Sequence, residues 1–171
     1  MLSAIVLAGA EPGTASPEAI VRTFASLVPA VVAGVVRDVT LVAPAGDARM
    51  TEIADHAGCA LVEAAPGDFI ANALAAARGD LVLLVLAGRA PDQGFAGEVF
   101  DLFDRSGDRA PRSALLRVEP DTFPRRLLPA LCPAEALIAR RGDLGGGVCF
   151  GALRRKLIAP VTLRCRLRRV G

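Results

Sequence analysis

The sequence contains no tryptophan and no tyrosine, and its seven phenylalanines are its whole aromatic content of 4%. Proteins that bind single-stranded nucleic acid stack the bases on aromatic side chains. This composition argues against such a stacking surface and against an aromatic sugar-binding surface. We therefore expect no nucleic-acid partner.

Cysteine and histidine are also scarce. The single histidine, His56, falls near the end of a short predicted helix, away from the sheet edge where α/β folds bind ligands, so we expect no catalytic role for it. The cysteines stand far apart, without the paired spacing of a zinc site or a compact disulfide framework. We expect reduced thiols at all four positions, which are Cys59, Cys132, Cys149 and Cys165.

No apolar run reaches the roughly 18 residues that span a bilayer. The apolar start of the chain lacks the basic residues of a secretory signal, so the sequence predicts a cytoplasmic protein. Its charge is unevenly placed. Residues 140–171 hold nine of the 20 Lys and Arg residues but only one of the 18 acidic residues, so the basic charge is concentrated at the end of the chain.

The 171 residues are 53% hydrophobic, enough for one domain with a substantial core. Apolar runs of strand length alternate with helical patterns over short connections. This alternation predicts an α/β protein with a doubly wound, mostly parallel sheet and right-handed crossovers. The predicted strands are 3–7, 39–42, 60–63, 81–86 and 113–118, and the predicted helices begin near residues 17, 48, 67 and 93.

Residues at the ends of these helices follow known capping rules. Ser16 and Pro17 predict the start of the first helix, which Pro29 is expected to end or kink. Asp47 predicts the start of the second helix and Gly58 its end. Asp92 is expected to cap the fourth.

Beyond residue 119 the pattern changes. Four prolines interrupt a leucine-rich stretch, which predicts short helices rather than one long helix. A further helix is predicted at 150–157, and the last ten residues either alternate as an edge strand or stay disordered. We expect residues 1–119 to form the ligand-binding domain and residues 120–171 to form a helical, basic extension packed on it.

The most informative stretch is the predicted strand Leu81–Leu86 and its exit, Ala87-Gly88-Arg89. Its unbroken apolar sequence is typical of a buried parallel strand. Open α/β sheets bind their ligands where such strands end, so the exit is where we expect a ligand. The side chain available there is an arginine, not a carboxylate.

Four segments carry a resemblance to a known family: Val39–Asp47, Thr51–Val62, Ala65–Gly67 and Ala75–Leu86. Together they resemble the nucleotide-binding half of the family 2 glycosyltransferases, over roughly residues 1–105. The resemblance implies the GT-A fold, which is Rossmann-like, a nucleotide-sugar ligand, and Mg²⁺ or Mn²⁺ if the chain is active. The chain departs from the family pattern at Ala43, where the family has its first Asp, and at residues 87–89, where the family has an Asp-x-Asp element that holds the metal.

The resemblance places three side chains near the ligand. Glu11 and Asp47 are expected beside the nucleoside, although Glu11 also fits a solvated loop and Asp47 also fits a helix cap. Arg89 is expected to pair with the diphosphate, because its planar guanidinium suits bidentate contacts and would allow binding without a metal. No residue is predicted to hold a metal or assigned a catalytic role.

The basic end of the chain has three interpretations. It could contact anionic lipid headgroups as a peripheral protein of the inner membrane, contact nucleic-acid phosphates, or balance the acidic body as a solvated tail. Among the functional interpretations we favour the membrane. The residues concerned are Arg154, Arg155, Lys156, Arg164, Arg166, Arg168 and Arg169.

Three functions therefore stand open. The first is a glycosyltransferase-like protein that binds a nucleotide-sugar or transfers its sugar. The second is a non-catalytic binding or regulatory module that kept the fold without the metal site. The third is a nucleotidyltransferase of the molybdenum-cofactor type, suggested by Ile5–Gly9, but that match ends after five positions because no basic residue follows in the loop.

Overall fold

The computed structural model describes most of the chain, in the ranges 1–9, 16–65, 67–104, 113–120, 123, 127–128, 132–145, 150–157 and 160–170. Its strands are β1 (Leu2–Leu7), β2 (Val36–Pro44), β3 (Ala60–Ala64), β4 (Leu81–Leu86), β5 (Arg89–Pro91), β6 (Ser113–Val118), β7 (Ala134–Arg140) and β8 (Val161–Arg169). Its helices are α1 (Pro17–Val32), α2 (Ala48–Ala57), α3 (Phe69–Ala76), α4 (Phe95–Val99) and α5 (Phe150–Lys156). A π-helical turn, Phe100–Asp104, continues α4, and a 3₁₀ turn, Arg141–Leu144, follows β7.

The eight strands form one sheet in the order β3-β2-β1-β4-β7-β6-β8-β5. The first four strands are parallel, so the predicted α/β fold is confirmed. In the other half β7 runs antiparallel to both of its neighbours, while β6 and β8 are parallel to each other. The parallel half positions the carboxyl ends of β1, β2, β3 and β4 along a single edge.

Helices cover the sheet on both faces. Apolar side chains of α1, α2 and α4 pack on one face, among them Ile20, Leu27 and Phe95. Helices α3 and α5 cover the other face through side chains such as Phe69 and Leu153. Because the central strands are buried on both faces, β4 is apolar throughout and β1 is apolar except for Ser3, in place of an alternating pattern.

The predicted caps of α1 and α2 are confirmed. The Ser16 hydroxyl accepts the Ala19 N–H, and Gly58 ends α2 with a φ of 64°, a conformation that favours glycine. Pro29 does not end α1, because the helix continues for three residues to Val32, and a kink at Pro29 stays a prediction. Helix α3 is shorter than predicted and ends at Ala76, before Gly79.

The last third of the chain differs most from expectation. Ala134–Arg140, expected to be part of a series of short helices, forms β7 between β4 and β6. The alternation of the last ten residues does form a strand, β8, with Leu163, Cys165 and Leu167 facing the core. The division at residue 119 stays a prediction, although strands from both sides of it share the sheet.

The sheet curls back on itself. Strand β5 follows β4 after a two-residue turn, yet it pairs with β8 at the far end of the strand order. This pairing brings the end of β8 onto the exit of β4, where the Val170 N–H donates to the Gly88 carbonyl at 3.0 Å. The exit of β4 is therefore enclosed by the second half of the sheet.

Strand β5 pairs only with residues 167–169 of β8, and two carboxylates bind the backbone of the preceding residues of β8. Glu98 on α4 accepts the N–H groups of Arg164 and Cys165 at 2.6 and 2.7 Å, and Asp92 accepts that of Arg166 at 2.9 Å. Asp92 also accepts the Gly94 N–H at 2.9 Å, just before α4 begins. These carboxylates take the place of a neighbouring strand and satisfy the edge N–H groups.

We expect Glu98→Gln to lower the free energy of unfolding by about 2 kcal/mol, because it replaces two charge-assisted hydrogen bonds with one neutral acceptor. Urea unfolding followed by circular dichroism measures this loss. The control is Glu52→Gln, which removes the charge of an exposed carboxylate on α2. Equal stability of the two variants would contradict the role assigned to Glu98.

Candidate functional site

The strand order identifies one place where a ligand is expected. After β1 the chain adds β2 and β3 on one side of it and then β4 on the other, so the order reverses between β1 and β4. A crevice opens at such a point in open α/β sheets, outside the carboxyl ends of the strands. Gly9 follows β1 with a φ of 80°, and Gly88 follows β4 with a φ of 79°.

Glycine is required at position 9 for two reasons. Its positive φ is strained for other residues, and a Cβ there would lie 3.2 Å from Cγ of Pro44 at the end of β2. The neighbouring Ala8 N–H donates to the Val42 carbonyl at 2.8 Å. The ends of β1 and β2 are thus held close together.

The exit of β4 is fixed by its own hydrogen bonds. The Ala87 N–H donates to the Leu7 carbonyl at 3.0 Å. The Gly88 N–H donates to the buried Thr23 hydroxyl at 3.0 Å, and that hydroxyl donates to the Ala19 carbonyl at 2.9 Å. Helix α1 and β1 therefore determine where the residues after β4 lie.

Arg89 lies at this exit, as predicted, but it already has an anionic partner. Its Nε donates to Oε2 of Glu135, and its Nη1 donates to the Gly88 carbonyl at 3.1 Å. The two charged side chains are 20% and 15% exposed, so most of the pair is shielded from water. An anionic ligand that binds Arg89 must displace Glu135 or share the guanidinium group with it.

Glu135 is the residue that sequence reasoning missed. The register between β6 and β7 shifts here, from Leu116 opposite Ala136 to Arg117 opposite Ala134, which leaves Glu135 as an extra residue in a β-bulge. Bulges re-aim side chains and are common next to active sites. Because this stretch was expected to be helical, the bulge and the position of Glu135 were not predicted.

Asp47 starts α2 and is engaged locally. Its carboxylate accepts the Arg49 N–H at 3.1 Å and forms a two-point ion pair with the Arg49 guanidinium. The hydrogen bond from Arg49 lowers the pKa of Asp47 below its usual range. The adjacent Gly46 N–H donates to Glu63 from the end of β3 at 3.0 Å. A role for Asp47 beside a nucleoside stays a prediction, and Glu11 lies outside the described residues.

The basic residues at the end of the chain lie on two elements. Arg154, Arg155 and Lys156 are exposed on α5. On β8 the side chains of Arg164, Arg168 and Arg169 are exposed, while that of Arg166 is half-buried. None of the described helices combines the length and the hydrophobicity of a membrane-spanning segment. Contact with an anionic membrane surface stays a prediction.

Among the residues that the structure describes at this edge, the donor set does not fit a divalent metal. Within the described ranges, no three His, Cys, Asp or Glu side chains are grouped so that they could hold an ion. At the exit of β4 the nearby carboxylate, Glu135, is paired with Arg89. Nδ1 of His56 is hydrogen-bonded to the Glu52 carbonyl at 2.8 Å. Burial raises the pKa of Cys59 and of Cys165, which disfavours the thiolate form that binds metals.

No known protein family and no curated protein matches the chain. Solved structures of glucosyl-3-phosphoglycerate synthase from Mycobacterium tuberculosis are similar to it. One is 21% identical over 99% of this chain and 72% of the synthase chain, with a TM-score of 0.66. The complex with Mn²⁺ and UDP-glucose is 19% identical over 95% and 68%, with a TM-score of 0.64. The complex with phosphoglyceric acid is 18% identical over 99% and 72%, with a TM-score of 0.61. The chain thus has the GT-A fold.

Proposed function

We propose that this protein binds a nucleoside diphosphate sugar at the carboxyl edge of β1, β2 and β4. The observation that carries the proposal is the reversal of strand order between β1 and β4, at which both strands leave the sheet through glycines with positive φ. Such a crevice is the usual ligand site of an open α/β sheet. Glycines there let a ligand approach the backbone closely.

The similar synthase structures support the class of ligand. They were solved with UDP and with UDP-glucose, in four cases together with Mn²⁺. Uridine diphosphate sugars are therefore the first ligands to test. Guanosine and adenosine diphosphate sugars complete the set, because the described residues do not select a base.

We assign the diphosphate to Arg89. A guanidinium can neutralise phosphate oxygens and donate two parallel hydrogen bonds to them, which is the role that a metal ion fills elsewhere. Glu135 would hold Arg89 in position while the site is empty and release it to the ligand. Since the described residues do not fit a divalent metal, we expect binding to be insensitive to chelators.

Binding without sugar transfer is the second candidate function. The pairing of Arg89 with Glu135 favours it, because a paired guanidinium is less able to stabilise a leaving diphosphate. Release of the nucleoside diphosphate from UDP-glucose, with and without Mn²⁺, separates the two functions. Measurable release would support transfer, whereas binding without release would support the binding module.

Calorimetric titration with UDP-glucose in EDTA tests the proposal. We expect saturable binding, and at a ligand concentration 100 times Kd an added stability of about 2.7 kcal/mol. Arg89→Lys keeps the charge but loses the planar fork, so we expect about tenfold weaker binding. The control, Arg37→Lys, makes the same change near the start of β2, at the end of the sheet away from the carboxyl ends of the parallel strands. If none of the nucleotide sugars binds with or without Mn²⁺, the proposal is wrong.

A further inference from the structure

Helix α1 is apolar on both of its faces. Its inner face packs on the sheet through residues such as Ile20 and Leu27. Its outer face carries exposed apolar side chains at alternating spacings of four and three residues, which is the spacing of a helix-packing surface. A helix that is apolar all round is normally covered on every side, so the outer face calls for a partner. The residues of this face are Val21, Ala25, Val28 and Val32.

A groove of about 650 Å³ runs beside this face, between α1 and α2. Its apolar lining includes Phe24 from α1 and Ile53 from α2, which are partly buried against the core. Val39 and its neighbours at the beginning of β2 form the floor. Helices pack by placing the side-chain ridge of one into the groove of another, and this surface offers a ridge and a groove side by side.

The charged side chains that line the groove have both signs. Arg37, at the start of β2, and Glu52, on α2, are exposed. Neither has an ion-pair partner among the described residues, whereas Asp38 accepts the Ser3 hydroxyl at 2.8 Å. When two identical surfaces meet across a two-fold axis, every contact between two different residues occurs twice. A surface with one free base and one free acid can therefore pair both of them with its own copy.

We propose that this face binds a second copy of the chain. The valine ridge of each copy enters the groove between α1 and α2 of the other, so that both ridges are covered and both grooves are filled. Arg37 of each copy then faces the partner's Glu52. Such exposed ion pairs contribute little to affinity but fix the orientation of the two copies, while the apolar faces supply the affinity. The interface goes beyond the proposed nucleotide-sugar site and uses none of its residues.

An anionic membrane fits this face less well than a second copy does. Anionic lipids attract clusters of Lys and Arg. The groove is concave, and its lining carries the acidic Asp38 and Glu52 beside a single arginine, Arg37. The charges of the groove therefore favour a partner that itself carries both signs.

Sedimentation equilibrium of the full chain over a range of concentrations tests the interface. We expect the mass to rise from that of one chain to that of two. Val28→Glu places a charge in the apolar contact, so we expect it to weaken the dimer about a hundredfold. The matched control is Val161→Glu, which makes the same change at an exposed valine of β8 and is expected to leave the dimer unchanged.

Charge reversal tests the orientation of the two copies. Glu52→Arg brings a like charge to the partner's Arg37, so we expect the dimer to be about tenfold weaker. Arg37→Glu in the same chain restores opposite charges, and we expect the double variant to recover dimerisation. A double variant that dimerises no better than Glu52→Arg alone would overturn the two-fold arrangement that we propose.

Three further results would overturn the proposal. The first is a chain that stays monomeric up to the highest soluble concentration, and the second is a dimer that Val28→Glu and Val161→Glu weaken equally. The third is a monomer that binds phosphatidylserine vesicles through Val28, since this face would then serve a membrane. If circular dichroism shows that Val28→Glu does not fold, Val21→Ser and Val28→Ser decide in its place.

Discussion

Replacing Arg89 with methionine is expected to lower the free energy of unfolding by about 3 kcal/mol. The substitution leaves the carboxylate of Glu135, only 15% exposed, without its cationic partner. Breaking a buried ion pair at one partner costs about 3–5 kcal/mol, and the remaining contact of this pair with water places it near the lower limit. Chemical unfolding in urea, followed by circular dichroism, measures the change.

A double variant separates a lost ion pair from lost packing. Arg89→Met combined with Glu135→Gln removes both charges, so we expect it to recover most of the stability that Arg89→Met alone loses. Arg37→Met is the matched control, because Arg37 is exposed on β2 at the opposite edge of the sheet. A double variant as unstable as Arg89→Met would show that the charge of Glu135 is not the cause.

Phe95→Ala is expected to have the largest effect, a loss of about 4 kcal/mol in the free energy of unfolding. Phe95 is 2% exposed and begins α4, a helix of five residues. A helix this short is not stable by itself, so packing against the core must hold it in place. The exposed Phe100 one turn later, changed to Ala, controls for the loss of an aromatic side chain.

The effect of Phe95→Ala should also extend to β8. Helix α4 carries Glu98, whose carboxylate accepts two backbone N–H groups of β8. If Phe95 positions this carboxylate, the losses from Phe95→Ala and Glu98→Gln will not add in the double variant. Strictly additive losses would mean that Glu98 keeps its place without the aromatic anchor.

Much of the fold before residue 119 could be predicted from the sequence. Residues 81–86 and 113–118 are mostly apolar runs of strand length. Both form strands with the predicted bounds. Ser16, Asp47 and Gly58 act through their nearest neighbours in the chain, so their capping roles follow from local rules. Local interactions of this kind are visible without a structure.

Strands β5 and β7 could not be predicted in the same way. Strand β7 is preceded by several prolines and is rich in alanine, a good helix former. It becomes a strand because β4 and β6 pair with it on both sides. Strand β5 has three residues and exists only because β8 lies beside it. Tertiary pairing overrides local propensity in both strands.

The candidate site was predicted in part for the same reason. The position of Arg89 follows from the strand before it, but its partner Glu135 is 46 positions away, in a bulge that only the pairing of β6 with β7 creates. The charge pattern along the chain does not indicate this contact.

The pairing of β5 with β8 has a consequence for the order of folding. Asp92 and Arg166, joined by a hydrogen bond beside this pairing, stand 74 positions apart in the chain. Contacts between such distant residues form slowly, because the intervening chain must first lose its conformational freedom. During synthesis the parallel strands can assemble while β8 is still inside the ribosome. We therefore expect the exit of β4 around Arg89 to be the last region to acquire its native conformation. Nascent chains that stop before residue 161 are expected to lack this conformation.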